Sequence, residues 1–88
     1  MKSRGTLEFW QLYRTLPPEI QRATRKAHAI FLENPAHAGL RLERLKSDPR
    51  AWSVRITRDY RAVALRSGDD WLWVWIGTHK EFDRKFPL

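Results

Sequence analysis

His79, Arg55 and Arg61 are the side chains whose placement suggests chemistry. His79 follows an apolar run, Trp71 to Ile76, and a Gly77-Thr78 step, so it is a titratable group held at the mouth of a rigid sheet. Arg55 and Arg61 interrupt two other apolar runs and would turn guanidinium groups toward the same opening. Seventeen Lys and Arg against ten Asp and Glu leave a net charge of +7. That balance favours a polyanionic partner such as nucleic acid or an acidic protein segment.

Other chemistries find less support. His28, His37 and His79 lack a recognisable metal-ligand spacing, and with no cysteine there is no thiolate ligand or disulfide. No nucleophile motif accompanies the histidines, and the four glycines are scattered, so neither a serine hydrolase nor a phosphate-cradling loop is supported. No metal or cofactor is expected. The absence of cysteine suits a reducing compartment, no apolar run approaches the roughly 20 residues of a membrane span, and the N-terminus has no signal core. A cytoplasmic protein without membrane contact is the expectation.

The elements that must position these groups can be read from periodicity. Residues 1–88 form one domain with a small core, to which five tryptophans contribute much of the burial. Met1 to Gly5 leaves room for a fragment of edge strand. Thr6 caps a helix with Phe9, Trp10, Tyr13 and Leu16 on its apolar stripe. Pro17-Pro18 ends that helix and starts another, with Ile20, Ala23, Ala27, Ile30 and Phe31 facing inward until Asn34-Pro35. Arg22, Arg25, Lys26 and Glu33, with His28 beside them, read as its solvated face or, alternatively, as a nucleic-acid contact.

The stretch 40–46, LRLERLK, is ambiguous and could be a strand running into a loop at Ser47-Asp48-Pro49. Three alternating runs follow, Ala51 to Thr57, Tyr60 to Arg66 and Trp71 to Ile76, with connections short enough to require an antiparallel meander. A two-residue Gly68-Asp69 turn places Arg66 opposite Trp71, Ala64 opposite Trp73 and Ala62 opposite Trp75. A three-residue loop, 57–59, pairs Ile56 with Tyr60, Val54 with Ala62 and Trp52 with Ala64. One face then carries Trp52, Val54, Ile56, Tyr60, Trp73 and Trp75 under the helical hairpin. The other carries Ser53, Arg55, Arg61, Val63, Leu65, Leu72, Val74 and Ile76. Gly77 lets the chain bend, and Thr78 with Glu81 forms a capping box at the start of a short terminal helix; that helix or a partner segment must cover the aliphatic part of the second face. The predicted fold is α+β, an antiparallel helical hairpin on a small antiparallel sheet.

Ile76-Gly77-Thr78-His79-Lys80-Glu81-Phe82-Asp83, with Asn34-Pro35 and His37, Leu45-Lys46, Trp52-Ser53-Val54-Arg55-Ile56 and Tyr60-Arg61-Ala62, resembles the RelE/ParE superfamily of toxins, in the branch ending in an IGxHxEYD-like motif. The resemblance implies a toxin of a toxin-antitoxin pair and a cognate antitoxin as partner. It further implies one of two targets: the ribosome and its messenger RNA, cut by metal-independent attack of a ribose 2′-hydroxyl, or DNA gyrase; a non-catalytic antitoxin-binding homologue is the third possibility. On the first reading His79 is general acid or base, Arg61 and Arg55 clamp the phosphate, and Glu81 is a second candidate base. Arg44, Lys46, Lys80 and Arg84 make further RNA contacts. Phe82 departs from the motif's tyrosine and Ser53 from a basic residue of RelE-like toxins.

Overall fold

The computed structural model describes residues 1–87. In chain order the elements are β1 (Ser3–Gly5), α1 (Leu7–Arg14), α2 (Pro18–Glu33), a 3-10 turn (Ala38–Leu40), β2 (Glu43–Arg44), β3 (Ala51–Thr57), β4 (Tyr60–Ser67), β5 (Asp70–Thr78) and α3 (His79–Lys85). The strands form one sheet in the order β1-β5-β4-β3-β2, with β1 parallel to β5 and every other pair antiparallel. The helical hairpin covers one face and α3 the other.

Local signals explain most boundaries. Thr6 accepts the Phe9 N–H at 3.1 Å and so starts α1, and Pro18 supplies a first helical residue with no N–H to satisfy. Asn34 caps the end of α2 before Pro35. LRLERLK, by contrast, is mostly not a strand: Leu40 closes the 3-10 turn, Arg41 adopts a left-handed conformation, and only Glu43 and Arg44 join the ladder. The break lets Leu40 and Leu42 pack under the hairpin while Leu45 enters the opposite cluster.

Between the hairpin and the sheet, Phe31 is fully buried and meets Trp71 and Trp73 edge to face at 5.0 and 5.2 Å. Phe9, Ala27, Val54, Ala62, Ala64 and Ile76 complete this cluster. His28 does not belong to the solvated face. It is half-buried, and its Nε2 lies 2.9 Å from the Ser3 hydroxyl, which accepts the Trp73 indole N–H at 2.8 Å. The hydroxyl then has its proton free to donate to a neutral imidazole, joining β1, α2 and β5.

Two irregularities change the predicted register. Across β4 and β5, Arg66 faces Trp71 and Ala64 faces Trp73 as expected, but Val63 then faces Trp75 and Ala62 faces Ile76. One additional residue, Val74, sits in β5 at that shift, a β-bulge that reverses the facing of all residues after it. Trp75 therefore leaves the hairpin side and joins Leu45, Ala51 and Val63 beneath α3, while Ile76 takes its place. Across β3 and β4 a second shift pairs Thr57, not Ile56, with Tyr60 and leaves Arg58 and Asp59 as the turn.

On the second face, Phe82 of α3 and Phe86, the residue that caps its end, pack on Trp75 with ring centroids 6.3 and 5.6 Å away. Gly77 lies within β5 rather than at a bend. Its role is clearance, because a Cβ there would stand 2.7 Å from the Trp75 ring.

Candidate functional site

The sheet register brings Arg55 and Arg61 together, since they are direct partners across β3 and β4, and Arg61 also pairs with Gly77. Like charges directly opposite one another disfavour the ladder. The Arg61 guanidinium is half-buried, and one of its terminal nitrogens donates to the carbonyls of Thr57, Tyr60 and Arg58 at 2.7, 3.0 and 3.2 Å. It thus holds the β3–β4 turn while keeping its other donors for a ligand. Burial, and then the charges of Arg55 and Arg41, pull its pKa below the usual arginine value, with Asp83 and Asp59 opposing them. An arginine remains charged under such a shift, so the row favours an anion.

His79 reaches the same region from β5. Its backbone N–H donates to the Asp59 carbonyl at 2.7 Å, fastening the start of α3 to the turn that Arg61 holds. Its Nε2 lies 3.5 Å from Asp83 Oδ1, one helical turn further on, and both side chains are accessible. With Nε2 turned toward Asp83, Nδ1 is the ring nitrogen left to meet a ligand.

Glu81 is committed elsewhere. Its Oε1 accepts the Thr78 N–H at 3.1 Å and the Thr78 hydroxyl at 2.9 Å, while the Glu81 N–H donates back to that hydroxyl at 3.2 Å. These bonds, led by the backbone one, lower its pKa. Glu81 thereby becomes a weaker base than an ordinary glutamate, with Oε1 held in the cap. Arg44 faces Trp52 in the ladder, so the register sets it on the hairpin side, opposite to Arg55. Lys46 is exposed in the loop after β2, and Lys80 and Arg84 are exposed one turn apart on α3, flanking Asp83. The structure therefore joins Arg55, Arg61 and His79, leaves Lys46, Lys80 and Arg84 exposed nearby, and sets Arg44 on the opposite face.

Three further residues belong to this region. Asp83 stands four residues after His79, a helical spacing readable in the sequence. Glu43 pairs with Ser53 and lies one row from Arg55 on the same face. Arg41 acts on Arg61 through space. Glu43 depends on the β2 register and Arg41 on the 3-10 turn before it, neither of which the Leu-rich pattern reveals.

No curated protein matches the sequence significantly. Solved structures do. A YoeB/ParE toxin from Agrobacterium tumefaciens superposes with a TM-score of 0.71 at 25% identity, covering 90% of this chain and 99% of that one. The RelB-RelE antitoxin-toxin complex from Methanococcus jannaschii gives 0.71 at 16% identity, with 94% and 98% covered. YafQ from E. coli strain BL21(DE3) gives 0.75 at 10% identity, with 92% and 96% covered; the last two likenesses establish the fold alone. The model of the ParE-like toxin domain matches residues 18–84, from the first turn of α2 into α3 and so across the Arg55–Arg61 row and His79. With most of its length, including that site, inside the match, the chain belongs to the ParE-like toxin domain family, whose structural neighbours are toxins of toxin-antitoxin systems.

Proposed function

We propose that this protein is a toxin that arrests translation by cutting messenger RNA on the ribosome, and that a cognate antitoxin covers the site when it is inactive. The observation that carries the reading is the convergence of Arg55 and Arg61, with the charge of Arg41, next to an imidazole that has a carboxylate one turn away. The 2′-hydroxyl attacks the adjacent phosphorus, the bond to the 5′-oxygen breaks, and a 2′,3′-cyclic phosphate and a 5′-hydroxyl result. The guanidinium groups oppose the charge that grows on the phosphorane oxygens. His79 gives a proton to the departing 5′-oxygen, and Glu43, on the same face and not engaged by a cap, takes one from the 2′-hydroxyl.

Lys46, Lys80 and Arg84 remain as outer contacts to RNA, and Arg44, on the opposite face, drops out of them. Antitoxin binding draws support from neighbours solved as toxin-antitoxin complexes, and an acidic amphipathic segment suits the +7 chain. The ParE-like family match favours a second reading, inhibition of DNA gyrase. The test is inducible expression with mapping of transcript ends, run beside supercoiling by purified gyrase. Internal cuts with 5′-hydroxyl ends that vanish in His79→Ala are expected. Uncut transcripts with blocked supercoiling would overturn the proposal.

A further inference from the structure

The two helices of the hairpin do not close completely over the sheet, and a cavity of about 180 Å³ remains between them and β3, β4 and β5. Val54, Ala62 and Trp73 contribute from the sheet, and the rings of Phe9, Tyr13 and Phe31 from the helices. The inner polar atoms are already engaged. The Ser3 hydroxyl lies 2.8 Å from the Trp73 indole nitrogen and 2.9 Å from His28 Nε2, and the Thr24 hydroxyl donates to the Ile20 carbonyl at 2.7 Å. The interior therefore favours an apolar body. The rim is different. Arg25 is exposed, and its Nη1 donates to the Tyr13 hydroxyl at 2.7 Å. The proton of that hydroxyl has only a long contact, 3.4 Å, with the Gln21 carbonyl. A guanidinium has further N–H groups to give, and among the described residues Arg25 makes no ion pair and no Asp or Glu lines the cavity. A cation and a phenol held together at the edge of an aromatic-walled space are a pair of donors for a carboxylate.

We infer that this cavity binds a small aromatic carboxylate, with its ring among Phe9, Phe31 and Trp73 and its carboxylate at the rim on Arg25 and the Tyr13 hydroxyl. An apolar cavity of about 150 Å³ is enough for benzene, so the space here takes one ring with a short substituent. The surrounding rings offer it edge and face contacts, and the unopposed charge of Arg25 selects an anion over a neutral aromatic. Val54 and Ala62 alternate along β3 and β4 with Arg55 and Arg61. The cavity therefore lies across the sheet from the Arg55–Arg61 pair, and the inference stands independently of the RNA reading.

The test titrates benzoate into the full chain by NMR, beside toluene, which has the ring without the charge, and acetate, which has the charge without the ring. Benzoate should shift the Trp73 indole N–H, give NOEs from its ring protons to the Ala27 and Ala62 methyls, and bind more tightly than acetate. Arg25→Gln and Tyr13→Phe should each weaken benzoate about two- to fivefold, the scale of an exposed charged contact, and change toluene less than about twofold. Ala27→Leu and the smaller Ala62→Val fill the space, and each, if its spectrum stays dispersed, should lose the benzoate NOEs. Benzoate that gives no such NOEs, that binds no better than acetate, or that binds the filled variants as it binds the parent would overturn the site. Equal loss of benzoate and toluene in Arg25→Gln, or no loss of benzoate in either rim variant, would overturn the assignment of a carboxylate.

Discussion

Deleting Val74 should leave the fold intact, although removing one residue from a strand ordinarily turns every later side chain to the wrong face. Val74 is the additional residue at the point where the pairing of β4 with β5 shifts. Without it, Ala64 facing Trp73 and Val63 facing Trp75 become consecutive rungs of a regular ladder. Trp75 stays beneath α3 and Ile76 under the hairpin. What is lost is the half-buried valine's packing against Leu65, Trp75 and their neighbours. Complete burial of such a side chain contributes about 1.5–3 kcal/mol, so the loss is about 1 kcal/mol, or about 4–8 °C in melting temperature at this chain length. Deletion of Leu72 is the control. It forces either Trp71 or Trp73 off the Phe31 cluster, a loss on the scale of about 3–5 kcal/mol in a domain whose total stability is about 5–15 kcal/mol. Thermal unfolding followed by circular dichroism measures both, and NOEs from the Trp75 indole to Phe82 and Phe86 report the facing. The reasoning is refuted if the Val74 deletion loses those NOEs, or melts as low as the Leu72 deletion.

Other outcomes follow from single contacts. Thr78→Ala should lower stability by about 1 kcal/mol, and hydrogen exchange should rise first in α3, which has no fully buried residue; Thr78→Ser should retain protection. Arg61→Ala should lower the urea midpoint, by about 1–2 kcal/mol in stability, because three turn carbonyls lose their donor, so its activity must be compared with that of folded protein at the same temperature. His28, whose pKa burial lowers from an ordinary value near 6.5, binds a proton more readily in the unfolded chain. Its contribution is therefore complete above about pH 6.5 and declines as pH falls toward the folded pKa; urea titrations at pH 7 and pH 5 should show that decline, and His28→Gln should flatten it.

Much of the fold was legible from local pattern. The caps at Thr6 and Thr78, the proline pair between the helices, the Gly68-Asp69 turn and the first rungs beyond it all depend on neighbours in sequence, and each formed as the spacing implied. The ladder failed to follow simple alternation where contacts are distant. Trp75 reads as a companion of Trp71 and Trp73, yet the space beside Phe31 is filled by those two and by Phe9, while the face under α3 needs one large ring for Phe82 and Phe86. The bulge at Val74 resolves both demands. His28 likewise reads as lying beside the solvated face, and Phe31, Trp73 and Ser3 of β1 together half-bury it.

At the site, sequence alone determined the residue types: two arginines on alternating strands, an imidazole after a third strand, a capping carboxylate and an excess of positive charge. Tertiary structure decided which of them meet. Arg55 and Arg61 became partners through the β3–β4 turn, and Arg44 was turned to the far face. The physical reason is that a strand's register and the position of a bulge are set by how distant side chains share the space on two faces of a sheet, and adjacent residues carry no record of that sharing.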